Sequence, residues 1–220
     1  MGKVHSIFGI TGKVGEYVFY TLNGKEVVRR VPKKKKGPKT QAQQTVVRQN
    51  TEFGKASAAG KFLRIALAEE CGKLNDRYLY QRVSKLMMSL KSFDPAPNGL
   101  RTPAGGLGTP EGQHCLAGFS FHKKHADFTK LLEAVHREGQ LHLSFSPIGK
   151  PAEHIIELQI DFHTGKFRRH EHTLPEIDKH GKLTLKKQFR TKKVFTALLL
   201  TSGEGFLQGV VINENHPEKG

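Results

Sequence analysis

The sequence predicts an α+β protein, an N-terminal β-hairpin with two short helices followed by a mainly antiparallel, β-sandwich-like domain. Three observations carry this reading. An Asn23-Gly24 pair separates two stretches rich in β-branched and aromatic residues; apolar residues between Val46 and Leu90 recur at helical spacing; and short strand-like runs with intervening turn signals fill the last hundred residues. The boundaries fall at residues 1–92 for the hairpin-helix module, 93–113 for a Pro/Gly-rich linker and 114–220 for the β-rich domain.

The hairpin comes first. Tyr17 to Leu22 and Lys25 to Val31 flank Asn23-Gly24, whose residues suit the positive φ angles of a two-residue type I′ turn. Mixed polar and apolar positions predict one packed and one wet face. From Thr40, a suitable N-cap, the period lengthens: Val46, Phe53, Ala56, Gly60, Leu63 and Leu67 recur as on an amphipathic helix. Each interior glycine weakens a helix by about 1 kcal/mol, which predicts a break near Gly54 or a close helix contact at Gly60. A second helix beginning near Asn75 or Asp76 places Leu79, Val83, Leu86, Met87 and Leu90 on one stripe.

Four prolines and five glycines between Phe93 and Gly112 read as a linker. Strands are then expected over Cys115–His122, 140–146, 154–163, 166–174, 183–189, 194–201 and 206–213, with one helix near Asp127 to Arg137. Alternation is clearest at Ile156, Leu158, Ile160 and Phe162, with Thr164-Gly165 turning the chain. The continuously apolar run from Val194 to Leu200 reads as a central strand.

Composition restricts the partners. With 36 Lys plus Arg against 20 Asp plus Glu, the chain carries +16, a charge that favours nucleic acid, anionic polymers or an anionic surface. The densest cationic stretch contains Arg29, Arg30, Lys33, Lys34, Lys35, Lys36 and Lys39, opened by Pro32 and Pro38 and free of carboxylates. Those seven residues are the candidate polyanion-binding site; a solvated loop is the alternative reading. The run has no interleaved aromatic residue, so base stacking is not indicated there.

Other motifs carry less. His170-Glu171-His172, with His163 before it, could offer two imidazoles on one strand face, yet Arg168 and Arg169 beside them disfavour a dication, and no metal site is assigned. Gly105-Gly106-Leu107-Gly108 superficially resembles a phosphate loop but lacks the following lysine. Cys71 and Cys115 form neither a close pair nor a recognisable nucleophile setting. No catalytic residue and no cofactor is therefore assigned. No leader or membrane-length apolar segment is read in the sequence, which implies a cytoplasmic protein.

Taken in order, Gly12-Lys13-Val14-Gly15, the aromatic strand, Asn23-Gly24-Lys25, Val28-Arg29, Pro32, Pro38-Lys39-Thr40, Gln43-Gln44, Arg48, Phe53 and Lys61-Phe62-Leu63 resemble the N-terminal half of a family of uncharacterised Bacteroidetes proteins of about 200 residues. The order is also loosely similar to the opening segment of some phage structural proteins. The resemblance covers about the first third of the chain and implies no activity. It implies a mixed N-terminal module before a β-rich domain, and an assembly role with a phage particle as a possible setting. The sequence is accordingly read as that of a non-enzymatic structural or interaction protein, engaging a protein partner or copies of itself. Sequence-independent binding of nucleic acid or another polyanion through residues 29–39 is the alternative.

Overall fold

A computed structural model describes residues 2–3, 10–33, 37–122, 128–146, 149–150, 152–173 and 180–214. The fold is α+β. The chain divides into two compact units, Met1–Gln41 and Ala42–Gly220.

The first unit is a four-stranded antiparallel sheet of β1 (Gly2–Lys3), β2 (Gly12–Val14), β3 (Tyr17–Leu22) and β4 (Lys25–Arg30), in the order β1-β4-β3-β2. Asn23 and Gly24 adopt φ of 51° and 75°, the backbone that the Asn-Gly pair predicts. Leu22 therefore faces Lys25, and Tyr17 faces Arg30, across the β3–β4 pair.

The second unit opens with α1 (Gln41–Ala66), α2 (Ala68–Lys73) and α3 (Leu79–Ser92). Helix α1 is one continuous rod of 26 residues rather than a short helix interrupted at Gly54. Gly54 costs the helix about 1 kcal/mol, which is outweighed because Ala56, Ala59 and Leu63 on the buried side hold the helix down. At Gly60 the expected close contact is present: a Cβ there would lie 3.4 Å from Met87 Cγ of α3. All five stripe residues of α3 are buried.

Where the sequence suggests a linker over 93–113, the structure has two capped helices, α4 (Pro103–Leu107) and α5 (Pro110–Ala117). Thr102 and Thr109 are their N-caps, accepting hydrogen bonds from Gly105 N and Gly112 N, and a proline follows each cap. Buried Asp94 closes the preceding loop by accepting from Ala96 N (2.9 Å) and Thr102 N (2.7 Å). The glycines permit close approach. A Cβ on Gly106 would sit 1.8 Å from the Leu90 carbonyl oxygen of α3. The expected strand over Cys115–His122 is thus replaced in its first part by the end of α5.

Seven strands follow: β5 (Leu131–Arg137), β6 (Gln140–Phe145), β7 (His154–Ile160), β8 (Phe167–His172), β9 (Lys182–Lys186), β10 (Thr196–Gly203) and β11 (Phe206–Glu214). They form one sheet in the order β8-β7-β10-β11-β5-β6-β9, antiparallel except for the β11–β5 pair. β5 corrects the helix expected near Asp127 to Arg137; Asp127 itself lies outside the described residues. A bulge between Leu131 and Glu133 shifts the pleat, so Leu131 and Ala134 face inward at a spacing of three that imitates a helix.

Two cores explain why β7 and β10 are buried on both sides. Ile156, Leu158, Ile160, Leu198 and Leu200 pack against the helices. Their neighbours Ile155 and Leu199 share a second cluster with Leu141, Leu143, Leu183 and Leu185, which requires the sheet to curl so that its two halves face each other. Among the described residues, no helix is long and apolar enough to cross a membrane.

Candidate polyanion-binding surface

Cross-strand register sorts the side chains of the N-terminal sheet onto two faces, because directly opposed residues share a side. Lys13 faces Val18, which faces Arg29; Tyr20 faces Val27; Leu22 faces Lys25. One face of β2 to β4 therefore carries Lys13, Lys25 and Arg29 around Val18, Tyr20, Leu22 and Val27, with no carboxylate among them. The other face holds Glu26, Val28 and Arg30 beside Tyr17 and Phe19.

The two arginines of the predicted site consequently differ. Arg30 ion-pairs with Glu16, its Nε donating at 3.0 Å and one Nη closer still. Arg29 lies over the Tyr20 ring, its Cζ 5.6 Å from the centroid, a cation–π contact that leaves the guanidinium edge exposed. Lys13, Lys25 and Arg29 are exposed and make no ion pair with any described residue. Their charges remain available to an outside anion.

Of the predicted lysines, Lys33 and Lys39 are exposed, and Lys39 is already engaged in an interaction. Lys34, Lys35 and Lys36 lie outside the described residues. The sheet adds Lys13 and Lys25, which sequence reasoning did not single out. The Asn23-Gly24 turn fixes Lys25 on the side of Arg29, two pleats away, so Lys25 was within reach of the register argument. Lys13 needed the β2–β3 turn, signalled by Gly15 with φ of 57° between Val14 and Tyr17. Residues 1–41 hold ten of the 36 cationic side chains and two of the 20 carboxylates, so this unit carries +8, half the net charge in under a fifth of the chain.

The histidines do not converge. His172 is buried and its Nε2 lies 3.2 Å from Glu157 Oε2, while the His170 ring meets it edge-on at 4.8 Å. His163 belongs to the turn after β7, where its backbone amide donates to Asp161. Burial by itself would raise the Glu157 carboxyl, but His172 and the amides of Gln188 and Phe189 donate to it and hold its pKa below the ordinary carboxylate value. This is a buried structural hydrogen-bond cluster. Arg169, beside the histidines, forks onto Glu70 of α2 at 2.7 and 3.1 Å. Among the described residues no group of three or more His, Cys, Asp or Glu side chains could hold a metal ion. Burial, with the charge of Glu70 adding and that of Arg64 opposing, pushes the Cys71 thiol up to about 11, so it stays protonated at neutral pH.

No protein-family model, curated protein or solved structure matches the chain.

Proposed function

We propose that the protein is a non-enzymatic binding protein whose N-terminal unit holds a polyanion, nucleic acid above all, through its phosphates and without reading base sequence. The observation that carries this reading is the sheet face on which Lys13, Lys25 and Arg29 have no carboxylate partner among the described residues. Exposed, unpaired cations on a rigid sheet release counterions when phosphates replace them, and that release drives sequence-independent association. In the sequence, further cations follow directly after β4, at Lys33 to Lys36 and Lys39. Binding of the purified protein to a DNA duplex and to heparin across a salt series tests the reading. A steep fall of affinity with salt is expected for both; absent binding, or affinity indifferent to salt, overturns it.

A second reading, an interaction or assembly protein, is favoured by the poor core of the same unit. Val27 is the one buried residue among its described residues, while Ile10, Val14, Tyr17 and Leu22 are each about half exposed. A sheet must cover apolar surface against something, and a partner or a second copy would do so. The resemblance to phage structural proteins belongs to this reading. Light scattering and a pull-down distinguish it: a mass well above 24.6 kDa supports self-assembly, and a strict monomer that captures no partner removes the reading.

A further inference from the structure

The second unit contains a separate cationic cavity that the polyanion reading does not use. Helix α1 runs beyond the core at its start, where residues 41–51 are all exposed. The 94–102 loop folds back against it, because buried Glu52 accepts hydrogen bonds from Gly99 N (2.6 Å) and Lys91 Nζ (2.6 Å). Between helix and loop lies a cavity of about 520 Å³, inside the roughly 300–1,000 Å³ range of small-molecule sites.

The charges in this cavity do not cancel. Glu52 and Lys91 neutralise each other, and the donation from Lys91 lowers the Glu52 pKa so that the carboxylate stays ionised. Arg48 and Arg101 are left, and neither makes an ion pair with any described residue. Arg101 is half-buried and anchored through Nε, which donates to the Ala96 carbonyl at 3.1 Å; its two Nη groups remain as a fixed fork. The Arg48 stem lies against the loop at Gly99, where a Cβ would come within 3.1 Å of it. Phe53, 58% exposed, forms part of the same wall and offers an aromatic surface there.

We propose that this cavity binds a nucleoside phosphate, with the phosphate held by Arg48 and Arg101 and the base lying on Phe53. A guanidinium fork matches phosphate oxygens two at a time, and an exposed ring beside it selects a flat ligand over a bare anion. The same chemistry fits a free nucleotide and the phosphorylated end of a strand.

Isothermal titration of the full chain with adenosine 5′-monophosphate tests it, with inorganic phosphate and adenosine as separate probes. Binding tighter than about 1 mM is expected, falling at least about tenfold in Arg48→Gln and in Arg101→Gln, since a charge-assisted contact is lost in each. Phe53→Ala should weaken the nucleotide and leave inorganic phosphate unchanged. Arg48 is exposed on a helix, so Arg48→Gln decides the matter if thermal melting shows Arg101→Gln to be unfolded. The triple variant Lys13→Ser, Lys25→Ser, Arg29→Ser should bind the nucleotide as the parent does, which separates this site from the N-terminal sheet. Displacement by a 5′-phosphorylated oligonucleotide, but not by its unphosphorylated form, would identify a strand end; no displacement by either would identify the free nucleotide. Absent binding, binding unaffected by Arg48→Gln, or inorganic phosphate binding as tightly as the nucleotide would overturn the proposal.

Discussion

Replacing Lys13, Lys25 and Arg29 together by serine should remove three phosphate contacts from the N-terminal sheet. All three side chains are exposed and none is ion-paired within the described residues, so the substitution should shift stability by no more than about 0.5 kcal/mol per site. Its effect on binding is set by counterion release, which gives a slope of log affinity against log salt of about −0.9 per neutralised phosphate on duplex DNA. Three lost contacts flatten the slope by about 2.7, so the parent's advantage over the variant should shrink by about 40-fold between 50 and 200 mM salt. Arg30→Ser is the internal control, because Arg30 already spends its charge on Glu16. Its loss should flatten the slope by less than about one. Fluorescence anisotropy with a labelled duplex, with circular dichroism to establish that each variant is folded, measures both quantities. A triple variant whose slope stays within about 0.5 of the parent's would show that the sheet face is not the contact surface.

Other perturbations test the second unit. Gly106→Ala places a methyl 1.8 Å from the Leu90 carbonyl oxygen and should cost more than about 2 kcal/mol in urea unfolding. Gly54→Ala has open space around it and should instead stabilise by about 0.5–1 kcal/mol. Glu157→Ala strands His172 and the amides of Gln188 and Phe189 inside the protein and should cost about 3–5 kcal/mol, read from the same unfolding curves. Burial alone would raise the Glu214 carboxyl, but hydrogen bonds from Lys187, Thr191 and His136 lower it to about 2. A depressed folded-state pKa contributes stability above the unfolded value of 4.5 and loses it as pH falls toward 2, so stability should drop over that window. With its side chain 32% exposed, screening limits the effect to about 1–2 kcal/mol, and Glu214→Gln should remove that part of the acid dependence in thermal melts.

The fold was legible wherever the signal was local and regular. Asn23-Gly24 determines the β3–β4 register, the α3 stripe follows from helical spacing, and alternation from Ile156 to Ile160 places β7. It was illegible where two local signals conflicted. Glycine-rich composition over 93–113 argued for a linker, yet Thr102-Pro103 and Thr109-Pro110 are cap-plus-proline pairs seven residues apart, and a Cβ at Gly105, Gly106 or Gly112 would collide with Asp94, with Leu90 of α3 or with the Gly106 carbonyl. At β5 the bulge displaced the inward residues by one position, and a strand took on the spacing of a helix. The continuous α1 shows the opposite imbalance: Gly54 argued for a break, but burial of the remaining helix outweighs one exposed glycine.

The candidate surface divides along the same line. Charge density pointed to residues 29–39, and a search by density favours a run of lysines over cations dispersed along strands. A pleated sheet gathers dispersed residues: Lys13, Lys25 and Arg29 are separated by up to sixteen positions in sequence yet occupy one face. Density also cannot tell Arg29 from Arg30, neighbours that the period of two sends to opposite sides, one onto Tyr20 and the other onto Glu16. What decides whether a cation can serve an outside phosphate is the absence of a carboxylate on its own face. That property follows from register, and the two-residue turns at Gly15-Glu16 and Asn23-Gly24 are what set the register here.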